Sequence, residues 1–80
     1  MERNEVFDKL KETISASNKE IDVSNITEKS DFYQELGLSS IELLFVIFAI
    51  EDQFNVRLKN ENLENIKTVG ELIDLIIAKL

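Results

Sequence analysis

The chain has 80 residues, of which 16 are acidic and nine are basic, so its formal net charge is −7 at neutral pH. A chain of this length leaves little room for a deep catalytic cleft, and its negative charge opposes binding to nucleic acid or to anionic lipid. Cysteine and histidine are both absent, which excludes a disulfide, a thiolate nucleophile, the commonest general base and the usual zinc ligands. Composition therefore predicts one folded domain over residues 1–80 that is not itself an enzyme.

Two further features of the sequence bear on location and partners. Residues 1–4 lack the apolar run of a signal peptide, and the longest apolar stretch, residues 43–50, is too short to span a bilayer. We therefore expect a cytoplasmic protein without stable membrane insertion. Residues 30–56 contain five acids and no Lys or Arg, a distribution that favours partners with basic surfaces. Those acids do not follow the calcium-loop pattern, so no metal site is predicted.

The first predicted helix covers about residues 4–15, because Val6, Phe7, Leu10 and Ile14 recur at helical spacing. A polar connection follows over residues 17–30. Its aliphatic residues are expected to fix it to the core; they are Ile21, Val23 and Ile26. A short apolar cluster of Phe32, Tyr33 and Leu36 then precedes Gly37, where the backbone can turn without a Cβ.

Two capping boxes mark the later helices. Ser39 with Glu42 begins the second helix, which should end near Phe54 or Asn55. Thr68 with Glu71 opens a last helix that continues to Leu80, and residues 61–66 between the two helices predict one or two short helical turns. The expected inner stripe of the last helix is Val69, Leu72, Ile73 and Ile76. Three main helices and one minor helix together predict an all-α fold, a small four-helix bundle.

The second helix has two apolar faces. The first, expected to be core, consists of Leu43, Val46, Ile47, Ile50 and Phe54. The second consists of Ile41, Leu44, Phe45 and Phe48. It runs into Glu51 and Asp52, so we expect it to be partly exposed and to bind a partner. The alternative is a central helix that is buried all round.

Ser39 and Ser40 are adjacent serines at the start of this helix, and only one of them is needed as the cap. Ser39 has the capping spacing, which leaves the hydroxyl of Ser40 free in the first turn. Unpaired amide groups and the helix dipole at that position favour a negatively charged group such as a phosphate ester.

Residues 31–42, Asp-Phe-Tyr-Gln-Glu-Leu-Gly-Leu-Ser-Ser-Ile-Glu, closely resemble the modification site of acyl carrier proteins and other phosphopantetheine-dependent carrier domains. The usual core of that site is Gly-x-Asp-Ser-Leu, and alignment from Gly37 places the modified serine at Ser40. The similarity continues through Ala-Ile-Glu-Asp-Gln-Phe at residues 49–54 and through Ile-Lys-Thr-Val at residues 66–69.

This resemblance implies a 4′-phosphopantetheine ester on Ser40, donated by coenzyme A through a phosphopantetheinyl transferase. The group would carry acyl intermediates as thioesters and present them to acyl-transferring or condensing enzymes with basic or apolar patches, as in fatty-acid or polyketide biosynthesis. Such a carrier would act as a monomer. Partner docking would involve the acids Glu42, Glu51 and Asp52, although each could equally belong to an ordinary solvated face. Positions that resemble the family's acyl pocket hold Phe32, Ile50, Phe54, Leu58, Leu63, Ile66 and Leu72, all of which would be core residues in any case.

The sequence departs from the family pattern at three positions. Ser39 replaces the usual Asp, and Phe45 stands where many fatty-acid carriers have an acid, so recognition should depend more on apolar contact through Phe45 and Phe48. Leu63 replaces a residue that is often small, which predicts a narrower pocket for short or polar cargo. A specialised pathway is therefore favoured over housekeeping fatty-acid synthesis.

Two alternatives stay open at this point. The first is a carrier of aminoacyl or peptidyl groups, as in nonribosomal or D-alanylation-type pathways. The second is an unmodified helical interaction protein whose second helix binds one partner helix or a second copy of the chain.

Overall fold

Three α-helices account for most of the computed structural model, which describes residues 1–58 and 63–80. The first helix, α1, spans Arg3–Ser17, α2 spans Ser40–Phe54 and α3 spans Val69–Lys79. A 3₁₀ turn at Leu63–Asn65 precedes α3. Within the two described ranges the chain forms no β-strand, and an isolated antiparallel bridge pairs Asp31 with Thr68. The fold is therefore all-α, as predicted.

The predicted inner faces of the helices form one hydrophobic core. α1 packs against both α2 and α3. The residues that these helices bury are Val6, Leu10 and Ile14 from α1, Leu43, Val46, Ile47, Ile50 and Phe54 from α2, and Val69, Leu72, Ile73 and Ile76 from α3. Helical periodicity predicted all of these positions. They are buried because the apolar stripe of each helix is covered by those of its neighbours.

The helix boundaries differ slightly from those predicted. α1 begins one residue earlier and ends two residues later than the expected residues 4–15. At its start, Glu5 Oε1 accepts a hydrogen bond of 2.9 Å from the N–H of Glu2. At its end, the Ser17 hydroxyl donates to the carbonyl of Ile14. α2 ends at Phe54 with Asn55 in a left-handed conformation, and α3 ends at Lys79 with Leu80 as its cap residue.

Two predictions need correction. Phe7, expected on the inner stripe of α1, is only partly buried, because it lies at the edge of the stripe, where Lys11 Nζ sits 4.8 Å from the centre of its ring. The helical turns expected over residues 61–66 are represented by the three-residue 3₁₀ turn, and residues 61 and 62 lie outside the described residues.

The long connection between α1 and α2 is fixed to the start of α3 by backbone hydrogen bonds. Phe32 N–H donates to the carbonyl of Lys67 at 2.8 Å, and Gly70 N–H donates to the carbonyl of Glu28 at 2.8 Å. Among its aliphatic residues Ile26 is buried, while Ile21 and Val23 are partly buried against the core. The predicted attachment of this connection is confirmed.

Arg3 joins three parts of the chain. Its guanidinium group donates to both carboxylate oxygens of Glu28 and to Asp74 Oδ1, which connects α1, the long connection and α3. The hydrogen bonds that Arg3 donates to Glu28 and then to Asp74 raise the pKa of Arg3, and the hydrogen bond from Arg3 lowers the pKa of Glu28. Both partners are partly exposed, so the ion pairs fix orientation more than they add stability.

None of the helices in the described ranges combines the length and the apolar character that crossing a membrane would require.

Candidate functional site

The start of α2 is closed by the predicted capping box. The Ser39 hydroxyl accepts a hydrogen bond of 3.1 Å from the N–H of Glu42, and Glu42 Oε1 accepts one of 2.9 Å from the N–H of Ser39. The N–H of Ser39 and then its hydroxyl lower the pKa of Glu42, so this carboxyl stays ionised in the first turn. Ser39 is therefore the cap residue, as predicted.

The turn that leads into α2 is organised by Asp31 and Gly37. Asp31 Oδ1 accepts hydrogen bonds from the N–H groups of Tyr33 and Gln34, at 2.7 and 2.9 Å. Gly37 then adopts a φ of 71°, which residues with a Cβ rarely take. The N–H of Leu38 returns to the carbonyl of Phe32 at 3.0 Å. This turn buries Leu38 and sets the direction in which α2 begins.

Ser40 is the first residue of α2 and is exposed. In the described part of the chain its hydroxyl makes no hydrogen bond, and the backbone N–H groups of Ser40 and Ile41 have no acceptor either. An accessible hydroxyl thus lies beside two unpaired amide donors at the positive end of a helix dipole. The arrangement can accept a tetrahedral anion esterified to the hydroxyl.

A small apolar cleft adjoins Ser40, with a volume of about 150 Å³. Its other walls are Tyr33, Leu43, Leu44, Ile47, Leu63 and Glu64. α2, the loop just before it and the 3₁₀ turn each contribute to this cleft, and the 3₁₀ turn is distant from the other two segments in the chain. The sequence predicted Tyr33 in an apolar cluster and Leu63 among the positions that resemble an acyl pocket. It did not predict that both lie beside Ser40, because periodicity does not reveal which loop residue faces which helix.

The second apolar face of α2 is exposed, as predicted. Ile41 is 67% exposed, Phe45 is 60% exposed and Phe48 is 50% exposed, while Leu44 lies at the edge of the cleft with 38%. We call these four residues the apolar strip. The alternative of a helix buried all round is thereby wrong, whereas a role of the strip in binding partners stays a prediction.

The three acids predicted for partner docking have different surroundings. Asp52 is exposed. Glu42 also accepts a hydrogen bond of 3.3 Å from Asn18 Nδ2, in addition to its role in the capping box. Glu51 is half-buried, and its Oε2 accepts a hydrogen bond of 2.7 Å from the backbone N–H of Leu58. Glu42 and Glu51 therefore both have structural roles. The role of Glu42 in the capping box was predicted, and that of Glu51 was not.

The seven positions that resemble an acyl pocket belong mostly to the packed core. Leu63 is half-buried beside the cleft, and the other six are buried. Elsewhere in residues 1–58 and 63–80, no group of three or more acids is placed so that it could hold a metal ion.

Comparison with known proteins agrees with this geometry. Residues 8–76 match the family described as "Phosphopantetheine attachment site". The chain is 38% identical over 76 residues to the acyl carrier protein of Lactobacillus acidophilus, covering 95% of this chain and 94% of that protein. It is 35% identical to that of Thermotoga maritima and 34% identical to that of Saccharopolyspora erythraea, covering 98% and 100% of this chain and 95% and 86% of those relatives. The chain belongs to the acyl carrier protein family.

Membership of this family means that the protein bears a covalently attached 4′-phosphopantetheine group. The start of α2 fits such a group: the Ser40 hydroxyl is exposed, it is not used as the cap, and it lies beside unpaired N–H groups that suit the phosphate. The adjoining cleft gives apolar surface next to this hydroxyl. The sequence predicted the free hydroxyl of Ser40, whereas the meeting of Tyr33 and Leu63 beside it was not predicted.

Proposed function

We propose that Ser40 is the attachment residue of 4′-phosphopantetheine and that the protein carries acyl groups between enzymes without catalysing their reactions. The observation that supports this assignment most directly is the division of roles between the two serines. Ser39 uses its hydroxyl in the capping box, whereas Ser40 is exposed and its hydroxyl makes no hydrogen bond in the described residues. Ser40 is thus the serine that can be modified without opening the helix.

Attachment requires the Ser40 Oγ to form a bond to the phosphorus of coenzyme A that bears the pantetheine arm. The bond from that phosphorus to the adenosine bisphosphate breaks, and the hydroxyl proton leaves to a base on the transferase. The chain contains no histidine, and in the described residues the Ser40 hydroxyl donates to no acceptor of its own chain, so the base is proposed to come from the transferase. The N–H groups of Ser40 and Ile41 then stabilise the ester phosphate at the helix start.

The bound group supplies a terminal thiol that holds an acyl chain as a thioester, which this cysteine-free chain could not provide by itself. The residues of the protein hold and orient the arm at one end of α2. As for the complete architecture, we propose a four-helix bundle in which the segment around Leu63–Asn65 occupies the position of the short helix.

Partner enzymes are proposed to dock on α2 beside Ser40. The apolar strip supplies the contact area, and the acids at its margins are Glu42, Glu51 and Asp52. Residues 30–56 contain no Lys or Arg, so a docking face with basic residues around an apolar centre is complementary to this surface. A phosphopantetheinyl transferase and acyl-transferring or condensing enzymes are the proposed partners, with the carrier acting as a cytoplasmic monomer.

Mass spectrometry after incubation with coenzyme A and a broad phosphopantetheinyl transferase tests the attachment. The wild-type chain should gain one phosphopantetheinyl mass, Ser40→Ala should gain none, and Ser39→Ala should still be modified. Ser39→Ala is the matched control because it removes the adjacent hydroxyl. Modification of Ser40→Ala, or no gain by the wild type when a known carrier is modified, would overturn the proposal.

A further inference from the structure

A basic residue follows the acidic part of the chain at the end of α2. Residues 30–56 contain no Lys or Arg, and Arg57 comes directly after them. Arg57 is exposed, whereas its neighbours Val56 and Leu58 are buried. The N–H of Val56 donates to the carbonyl of Glu51 at 3.2 Å, and the N–H of Leu58 donates to Glu51 Oε2 at 2.7 Å. The backbone around Arg57 is thus fixed against the end of α2, and its side chain extends into solvent.

An open cleft brings Arg57 next to the apolar strip. The cleft has a volume of about 280 Å³, and its surface is mainly polar. Phe48, which belongs to the apolar strip and is 50% exposed, forms one of its walls. The other residues that line the cleft are Glu51, Asp52, Asn55, Val56 and Arg57. The apolar strip therefore ends at a polar cleft that contains both signs of charge.

The charged groups of this cleft are not paired with one another. No ion pair joins Arg57 to Glu51 or Asp52, and in residues 1–58 and 63–80 the guanidinium group makes no hydrogen bond either. Its five N–H donors are available, and a planar guanidinium binds a carboxylate through two parallel hydrogen bonds. Glu51 is already held by the N–H of Leu58, and Asp52 is exposed. A carboxylate of a partner therefore fits the Arg57 side of the cleft, and a basic group fits the side of Asp52.

One docked enzyme can reach both Ser40 and Arg57. The cleft lies about 20 Å from Ser40 along the axis, because α2 spans Ser40–Phe54 and a helix rises about 1.5 Å per residue. A docking face of standard size covers about 800 Å² on each partner, which is a patch about 30 Å across. An enzyme that acts at Ser40 and lies along the apolar strip thus also covers this cleft.

A docking face that is basic throughout does not match this surface. Basic residues complement Glu42 and Asp52, but the same charge opposite Arg57 would be repelled. Like charges that face each other at an interface lower the affinity for the wrong partner and so contribute to specificity.

We propose that Arg57 determines which enzymes dock on α2, by binding an acidic side chain that the partner places in this cleft. The partner class is an enzyme with a bipolar docking face. Such a face has basic residues opposite the acids of α2, an apolar centre opposite the strip and one Asp or Glu opposite Arg57. This inference rests on the proposed attachment at Ser40 and on the proposed docking along α2.

Phosphopantetheinyl transfer by the transferase of the organism that produces this chain tests the role of Arg57, because that enzyme must dock within reach of Ser40. The values of kcat and KM are measured at low ionic strength for the apo forms of the wild type, Arg57→Ala and Arg57→Glu. We expect kcat/KM to fall roughly threefold in Arg57→Ala and roughly tenfold in Arg57→Glu, mainly through KM. Both differences should shrink as NaCl is added, since exposed charge pairs are screened.

Two control variants separate the position of the charge from its amount. Arg57→Lys keeps the positive charge and should stay within about twofold of the wild-type kcat/KM. Lys29→Glu reverses a charge at an exposed position of the long connection, outside α2 and the cleft, and should also stay within about twofold. Arg57→Ala and Arg57→Lys should melt like the wild type, because Arg57 is exposed.

A charge exchange identifies the group on the partner. Each surface Asp and Glu of the transferase is replaced in turn by Arg, and every variant enzyme is assayed with the wild-type carrier and with Arg57→Glu. One of these enzyme variants should have a lower kcat/KM for the wild-type carrier and a higher kcat/KM for Arg57→Glu than the unaltered enzyme has.

The possible failures are distinguishable. If the wild-type chain gains no phosphopantetheinyl mass while the same enzyme modifies another carrier, the proposed function is overturned, and the inference with it. If the wild type is modified but Arg57→Glu and Lys29→Glu behave alike, the inference alone is overturned. A higher kcat/KM in Arg57→Glu would show a docking face that is basic throughout and would also overturn it. The absence of any compensating enzyme variant would overturn the pairing of Arg57 with an acid.

Discussion

Glu51 Oε2 accepts a hydrogen bond of 2.7 Å from the backbone N–H of Leu58, seven residues further along the chain. Between these residues the chain leaves α2 through Asn55, whose φ is 55°, and then buries Val56 and Leu58. The carboxylate of Glu51 therefore supports the return of the chain to the core, in addition to any contact that it makes with a partner.

Glu51→Ala should lower the free energy of unfolding by about 1.5–3 kcal/mol, because it leaves the partly buried N–H of Leu58 without its charged acceptor. Urea denaturation measures the change. Asp52→Ala removes the same charge from an exposed neighbouring position and should change stability by no more than about 0.5 kcal/mol. If the two substitutions lower stability equally, Glu51 behaves as an ordinary exposed acid and its hydrogen bond to Leu58 does not stabilise the fold.

Local patterns explain why so much of this fold could be predicted from the sequence. A capping box needs only four consecutive residues, and an amphipathic stripe needs only one helix, so Ser39, Thr68 and the core positions of α2 and α3 were identified correctly. The position of Ser40 followed from the same local reasoning together with the family resemblance.

Contacts between distant segments could not be predicted in this way. Arg3 and Asp74 are 71 residues apart in the chain, and nothing in the spacing of their charges indicates a contact. The cleft beside Ser40 likewise depends on how the turn at Leu63 and the loop at Tyr33 meet α2. Such features arise from tertiary packing. The periodicity of one helix shows which of its faces is buried but not which segment covers that face.

The capping role of Ser39 can be separated from the attachment role of Ser40 by stability measurements. Ser39→Ala should lower the free energy of unfolding by about 1 kcal/mol, since it removes the acceptor for the N–H of Glu42. Ser40→Ala should change stability by less than about 0.5 kcal/mol, because Ser40 is exposed and its hydroxyl makes no hydrogen bond in the described residues. Thermal or urea unfolding of both apo variants checks the difference, and a larger loss in Ser40→Ala would reverse the two assignments.

Acid should destabilise the protein through its capping carboxylates. Hydrogen bonds from the Ser39 N–H lower the pKa of Glu42, and those from the N–H groups of Lys67 and Thr68 lower the pKa of Glu71. A carboxyl whose pKa is lower in the folded state stabilises the fold above its unfolded pKa of about 4.3. That contribution is lost as the pH falls from there through the folded value.

The urea midpoint should thus be constant near pH 6 and fall as the pH drops below about 4.3. Glu42→Gln cannot be protonated and should show a shallower fall over the same range. A profile of the variant that is parallel to the wild-type profile down to the lowest pH would show that the capping box at α2 does not contribute to acid unfolding.

Gly37 can be tested for backbone strain alone. Its φ is 71°, and a Cβ added there would meet no heavy atom within 4 Å, so a substitution should be costly only through the left-handed conformation. Gly37→Ala should lower the free energy of unfolding by about 1–2 kcal/mol, and Gly37→Asn should cost less, since Asn tolerates this region. Urea denaturation compares them, and equal losses for Ala and Asn would point to a cause other than φ.

Phe45 is an exposed aromatic residue of the proposed docking surface, at a position where many fatty-acid carriers have an acid. With 60% of its surface exposed, it contributes little to the core, so Phe45→Ala should leave stability nearly unchanged. Buried aromatic anchors often account for 1–2 kcal/mol or more of binding, and a loss of about 1.4 kcal/mol corresponds to a tenfold change. We therefore expect kcat/KM for phosphopantetheinyl transfer to fall roughly tenfold in Phe45→Ala, mainly through KM.

Ile77→Ala is the control for this experiment, since Ile77 is also an exposed apolar residue but lies on α3 outside the apolar strip. It should leave kcat/KM within about twofold of the wild-type value. Phe45→Glu adds an acid to the strip and should make the transfer rate fall more steeply with salt, because charge pairs at a docking face are screened. If Phe45→Ala and Ile77→Ala behave alike, recognition depends on the acids alone, and the apolar strip has no part in it.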